Sequence, residues 1–309
     1  MSDLSLSWLL HPAGLALLGL MIGSFLNVVV HRLPIMMQRG WWADVQAQLA
    51  DAEGCKSVFG AQAPIRPSEL AAQALDKALQ ALPRLDLAIP RSRCPQCGHV
   101  LAWWENIPVL SWLILRRRCK GCATPISMRY PGVEIATAAL FVAMGWRFGA
   151  TPVTLLWCVM AALLLTATLI DWDTTLLPDN LTLPLLWLGL IAAALGWTLP
   201  LNTAVWGAVA GYLSLWSVTW LFKLTTGKVG MGEGDFKLLA ALGAWAGASM
   251  ILPIVLAASL VGAVVGLGMK ATGQLRQGVY VPFGPFLAGG GLVVILAGPQ
   301  RVMGWMGWA

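Results

Sequence analysis

Long apolar stretches alternate with short polar breaks along most of this chain, and the stretches are of helical, not strand, length. Eight of them approach the roughly 20 residues needed to span bilayer hydrocarbon: about 12–30, 131–148, 151–170, 181–199, 203–222, 236–250, 252–269 and 281–298. Over 236–269 the pattern fits one long hairpin or a span plus a re-entrant piece. Residues 31–130 lose the pattern. Within them "RPSELAAQALDKALQALPR" predicts a short amphipathic helix, with Ser68 as N-cap and Leu75, Leu79 and Leu82 on one face. Prolines at 64, 67, 83 and 90 break the surroundings into loops. The expected fold is an all-α polytopic membrane protein of about eight transmembrane helices. Residues 1–30 hold the first helix, 31–130 a mostly soluble insert, and 131–309 a membrane-embedded core of about seven helices.

Composition agrees, with 58% hydrophobic and only 11% charged residues, outside the range of soluble globular chains. No Lys or Arg precedes the first apolar run, so no cleaved signal is expected. Charge orients the bundle. Of the 20 Lys and Arg, 13 lie between His31 and Tyr130, and Lys223, Lys228, Lys237, Lys270 and Arg276 flank later junctions. Eight alternating spans put all 18 on one side and leave Arg147 and Arg301 on the other. By the positive-inside rule the richer side is the cytoplasm and both termini face out. The insert carries 13 basic against 7 acidic residues. That charge is spread out and does not alternate with aromatics, so it suits anionic lipid headgroups and predicts no nucleic-acid partner.

Four of the six cysteines form one pattern, Cys94-Pro-Gln-Cys97 and Cys119-Lys-Gly-Cys122. Two tight CxxC turns aim four sulfurs at one ion, as tetrahedral structural zinc requires. Stable disulfides do not suit a cytoplasmic location, and a redox site would use a single CxxC. With four protein ligands the ion would staple the loop, not catalyse. His99 is expected beside the cluster or in solvent, Cys55 and Cys158 unpaired.

The acids are the stranger feature. "LLLTATLIDWDTTLLPDN" ends an apolar run in Asp171, Asp173 and Asp179, and "GMGEGDFKLLAALGAW" places Asp235 behind glycines 230, 232 and 234. Acid at a membrane edge is costly and points to function. Capping the next helix explains Asp179 well and is one account of Asp235. Asp171 ends a helix, where the dipole disfavours negative charge, so it needs a partner or a proton. Gly232 and Gly234 strip side chains from the approach to Asp235. Two carboxylates held together cannot both ionise, so the pair shares a proton. One member can then activate water while the other protonates a peptide carbonyl or leaving amine. Glu134 and Asn27 are buried polar candidates that helix-packing hydrogen bonds also explain.

Taken with "GSFLNVVVHRLP" at 23–34, "WENIPVLSWL" at 104–113, "RYPGVE" at 129–134 and "PFGPFLA" at 282–288, these motifs resemble the type IV prepilin peptidases, GxGD-type aspartyl proteases. The resemblance runs nearly end to end and is weakest over 38–92. It implies that Asp171 and Asp235 are the catalytic pair, with Asp173, Asp179, Gly232 and Gly234 supporting. It also implies a bifunctional enzyme of the bacterial inner membrane. Such an enzyme cleaves the leader of type IV prepilins or type II secretion pseudopilins after Gly at the cytoplasmic face. It then N-methylates the new terminus using S-adenosylmethionine. Trp103, Trp104 and Glu105 are candidates for holding that cation through aromatic faces and an anionic neighbour, although the tryptophans also fit a membrane interface. Two other classes compete. A proton-coupled transporter with an aspartate relay would show internal repeats and broken midplane helices, and the sequence has no repeat. A zinc-ribbon membrane scaffold without catalysis accounts for the cysteines but not for Asp235.

Overall fold

Pro12 stands in the first turn of a helix, where its missing N–H removes no hydrogen bond. That helix, α1, runs unbroken over Pro12–Ala50 with Pro34 inside it. The expected boundary at residue 30 is therefore not a break in the backbone. The computed structural model describes residues 7–273 and 281–308, so Arg276 lies outside the described residues. The far end of α1 packs on α3 (Ile65–Gln80), reached through α2 (Ala52–Phe59). Helix α3 starts three residues before the predicted cap. Pro64 holds the N-cap position and Ser68 lies inside, its hydroxyl donating to the Ile65 carbonyl at 2.8 Å. Pro67 is tolerated because first-turn N–H groups have no helical acceptor. Ala72 is buried on this helix, whereas Leu82 lies beyond its end and is exposed.

Between α3 and the core the chain is mostly loop, with a short α4 (Leu110–Ile114). Arg32 of α1 organises this region. Its guanidinium donates to the carbonyls of Asp86 at 2.8 Å and Pro90 at 2.6 Å, which pins 83–91 to the helix.

The core comprises α5 (Arg129–Phe148), α6 (Pro152–Thr174), α7 (Asp179–Ala194), α8 (Leu201–Thr226), α9 (Glu233–Ala246), α10 (Ile251–Ala271), α11 (Gly284–Ala297) and α12 (Pro299–Trp305). Among the described residues four helices can cross a membrane by length and composition: Pro12–Ala50, Pro152–Thr174, Leu201–Thr226 and Ala248–Ala271. A fifth is added if α11 and α12, bent by 108°, count as one broken span. The stretches at 181–199 and 236–250 form shorter helices, because Gly196 and Gly247 turn the chain at φ +70° and +85° before a full span is complete. At 14 residues, α9 is about 21 Å long, short of the ~30 Å of hydrocarbon. The 236–269 region is thus two helices about the Gly247 turn.

Helix α9 is the buried axis. Phe236 and every residue from Leu238 to Ala246 are buried, with α7, α8 and α11 packed round it. Trp245 donates its indole N–H to the Leu185 carbonyl at 2.9 Å. Two close crossings use small residues. A Cβ at Gly207 or Gly211 of α8 would run into the α9 backbone, and one at Gly19 or Gly23 of α1 into that of α5.

Candidate active site and four-cysteine centre

The four core aspartates separate into two kinds. Asp171, one turn from the end of α6, is 4% exposed, and Asp235, in the first turn of α9, is 9% exposed. Each keeps one carboxylate oxygen with no hydrogen-bond partner among the described residues, Oδ2 of Asp171 and Oδ1 of Asp235. The two interact electrostatically. An aspartate that merely capped a helix would spend its oxygens on first-turn amides. Asp235 does not: Gly232 holds the N-cap position, and no side-chain cap bond forms there.

Asp179 departs from the capping expectation as well. Pro178 is the N-cap of α7 and the Asp179 side chain makes no cap bond. Instead both its oxygens receive Lys237 Nζ at 2.8 Å. Asp173 is gripped by two guanidinium nitrogens of Arg129, at 2.9 Å for Nη1–Oδ1. The paired acids are partly exposed and the unpaired ones are buried. Neither cation was singled out as a partner from sequence, though both lie in the quoted motifs "RYPGVE" and "GMGEGDFK".

Leu177 links the ends of the two helices. A Cβ on Gly234 would stand 2.6 Å from Leu177 Cβ, so the backbone before Asp235 sits directly on this leucine. Gly232 has open space around its Cβ position and a Cβ on Gly230 would meet the Phe222 ring at 2.9 Å, so of the three glycines only Gly234 packs on Leu177. Gly284, at the start of α11, was not foreseen as a site residue. A Cβ there would fall 2.5 Å from Asp171 Oδ2 and 3.0 Å from Leu177 Cδ1. Its backbone amide lies close enough to act on the Asp171 carboxyl. Only the run "PFGPFLA" carried a hint of it.

The cysteines converge as their spacing predicts. Four Sγ atoms lie within 4.8 Å of one another, with Cys94–Cys122 at 3.8 Å and Cys97–Cys119 at 3.9 Å. Zinc–sulfur bonds of ~2.3 Å in a tetrahedron require sulfurs about 3.8 Å apart, so the cluster is compatible with zinc. Each knuckle is closed by one antiparallel bridge, Arg93 to Val100 and Arg118 to Pro125. The chain reverses at Gly98 in one and at Ala123 in the other, both at positive φ. The Cys97 and Gln96 amides hold the Cys94 thiol below its ordinary value and the Thr124 hydroxyl and amide push Cys122 down to about 6, while burial and the three neighbouring thiols push Cys97 up to about 11. Thiolate is the form that binds metal. His99 stays outside the cluster, its Nε2 3.0 Å from Glu105 Oε2. Cys55 and Cys158 are free thiols.

The three residues proposed to hold a sulfonium are not equivalent. Trp103 is 78% exposed, and Lys120 Nζ covers the Trp104 ring at 4.8 Å. Glu105 is buried at 5% exposure and accepts from the Ala102 amide at 2.8 Å. That amide and the His99 ring hold its carboxyl below the usual range. Glu134, on α5, is also buried and accepts from the Val109 amide at 2.8 Å. Asn27 donates to the carbonyls of Gly23 and Tyr130, joining α1 to α5 as a packing residue would.

Comparison with known proteins completes the description of the site. The bacterial Peptidase A24 N-terminal domain matches residues 17–148, and the type IV leader peptidase family matches 158–267. A prepilin leader peptidase/N-methyltransferase of Stutzerimonas stutzeri is 46% identical over 297 residues, 94% of this chain and 92% of the relative. Proteins of the same description from Burkholderia pseudomallei and Aeromonas hydrophila are 47% and 48% identical. These alignments cover 93% and 91% of this chain, and 87% and 89% of the relatives. No solved structure matches the chain.

Proposed function

The chain belongs to the type IV leader peptidase family, and from that premise we propose that it is a bifunctional prepilin leader peptidase and N-methyltransferase. Its substrates are type IV prepilins or type II secretion pseudopilins, cut after Gly at the cytoplasmic face of the inner membrane. Asp171 and Asp235 form the proteolytic pair. What supports this choice is that, of the four core aspartates, these two alone are buried with an oxygen unpartnered among the described residues. One ionised carboxylate takes a proton from water as it attacks the scissile carbonyl, and the protonated partner supplies a proton to the carbonyl oxygen or leaving amine. Asp173 and Asp179 hold the surrounding turns through Arg129 and Lys237. Gly234 and Gly284 let backbone approach where a side chain would intrude.

Cys94, Cys97, Cys119 and Cys122 would hold structural zinc, whose four thiolates leave no open position for catalysis. S-adenosylmethionine supplies an electrophilic methyl group, which the new N-terminal amine accepts. In the full topology α5, α7, α9 and α11 enter the bilayer beside the four long helices. The basic insert then faces the cytoplasm and both termini face out. Incubating detergent-purified protein with a prepilin and sequencing the product's N-terminus tests the assignment. A new N-methylated terminus directly after the leader Gly is expected. An uncut prepilin, with folded and zinc-loaded protein, would overturn it.

A further inference from the structure

A cavity of about 760 Å³ lies between α1, the start of α5 and the two knuckles. Its volume falls within the ~300–1,000 Å³ of small-molecule sites. It is also the place where the buried carboxylates outside the proteolytic pair meet, since Glu105 and Glu134 both line it. Glu105 spends Oε2 on Ala102 and His99, while Oε1 is buried with no hydrogen-bond partner among the described residues. A buried carboxylate oxygen left without a partner calls for a cation, a proton or a donor from a ligand.

The cations nearby are largely committed elsewhere. Arg32 donates to loop carbonyls, and Lys120 covers the Trp104 ring while its charge also acts on Glu105. Trp112 and Tyr130 add aromatic surface to the wall, and Arg93 adds a guanidinium. Trp103 and Trp104 do not line it. Two buried carboxylates, aromatic faces and a guanidinium on one lining offer contacts for a ligand with a positive centre, a flat heterocycle and a carboxylate end.

We propose that this cavity is the S-adenosylmethionine site, with Glu134 and Glu105 facing the sulfonium and ammonium and Arg93 facing the carboxylate. The proposal rests on the methyltransferase reading above. It moves the aromatic contact expected from sequence from Trp103 and Trp104 to Trp112 and Tyr130, and it keeps Glu105. Methyl transfer forms the N–CH3 bond and breaks the S–CH3 bond, whose electron pair stays on sulfur. The nitrogen releases one proton to water. Sulfur thereby becomes a neutral thioether, so the two carboxylates hold the donor more tightly than the spent product. The location also suits a substrate arriving from the protease. Asn27 ties the cavity's α1 wall to Tyr130, and the adjacent Arg129 grips Asp173, two residues beyond Asp171.

Equilibrium binding of labelled S-adenosylmethionine, with S-adenosylhomocysteine in parallel, tests this on the detergent-purified full chain. Wild type should prefer the sulfonium form. Glu134→Gln and Glu105→Gln should each weaken S-adenosylmethionine by at least about 30-fold, the loss expected when one partner of a buried charge pair is removed. They should also erase the preference over the thioether, while zinc content is retained. Glu69→Gln, exposed on the same insert, should change neither. Should the glutamine variants lose zinc, photo-crosslinking of labelled S-adenosylmethionine to wild type decides: label in peptides spanning 24–35 or 90–134 supports the site, and label confined to 151–308 overturns it. Wild type that binds but is unmoved by either glutamine substitution overturns the cavity assignment alone. A basic leader peptide that displaces the ligand and crosslinks here also overturns it, by giving the acids to the leader. Absence of any binding to wild type overturns the methyltransferase reading as well.

Discussion

Lys237 Nζ lies 2.8 Å from each carboxylate oxygen of Asp179. The pair ties the first residue of α7 to the fifth residue of α9, two residues past Asp235. Arg129 ties the end of α6 to the start of α5 in the same way. Both pairs are partly solvent-exposed, so each stabilises by no more than about 1 kcal/mol and positions the turns without reacting. Asp171 and Asp235 have no such partner among the described residues.

Asp171→Asn and Asp235→Asn should therefore each lower leader cleavage by about 10²- to 10⁴-fold, the range a general acid or base supplies. Asp173→Asn and Asp179→Asn should stay within about tenfold of wild type, as loss of an exposed ion pair implies. Exchanging the charges, Asp179→Lys with Lys237→Asp, should recover activity lost in either single variant. Cleavage kinetics on a prepilin check all of these. An Asp179→Asn protein as inactive as Asp235→Asn, at unchanged thermal stability, would mean the pair is misassigned.

Gly284 offers a steric test of the same site. Its Cβ would stand 2.5 Å from Asp171 Oδ2, so Gly284→Ala must displace the carboxylate or the start of α11. Displacement by about an ångström can cost ~10²-fold in rate. Gly289, on the same helix with open space around it, should accept alanine at little cost. Equal activity in the two alanine variants would remove Gly284 from the site.

How much of this was legible in the sequence follows from the range of each interaction. The knuckles were, because two CxxC turns are local and their sulfurs can meet in few ways. Asp171 was, because an acid at the C-terminal end of an apolar helix conflicts with its own dipole. The partners of Asp173 and Asp179 were not: Arg129 is 44 residues and Lys237 58 residues away in sequence, and only the fold brings them near. Hydropathy ran on through Gly196 and Gly247, since a window averages over a turn that a single residue makes. The pairs Gly19/Gly23 and Gly207/Gly211, each four apart in an apolar run, did mark the two close helix crossings. That signal was present and unused.

The cysteine cluster predicts a metal content. Purified protein should carry about one zinc per chain, and Cys94→Ser or Cys119→Ser should abolish it. Metal binding is coupled to folding of such a loop, so the same variants should lower thermal stability and expression. Glu105 should be disturbed too, because its His99 contact hangs from the first knuckle. Elemental analysis that found active protein without zinc would remove the staple.

The two proposed activities should be separable. Methyl transfer needs a neutral amine, and an unperturbed α-amino group titrates near pH ~8. It also needs a methyl carbon brought into line with that nitrogen. Neither requirement calls for a pair of carboxylates sharing a proton. The structure places the candidate groups on different elements: Asp171 and Asp235 on α6 and α9, Glu105 beside the knuckles and Glu134 on α5. Asp171→Asn protein, given an already cleaved pilin with a free N-terminal Phe, should therefore still methylate it, within a few-fold of wild type. Transfer of labelled methyl from S-adenosylmethionine to mature pilin is the assay, with zinc content and thermal stability recorded on the same sample. If transfer is lost completely while both remain at wild-type values, one active site performs both reactions and the two-site arrangement is wrong.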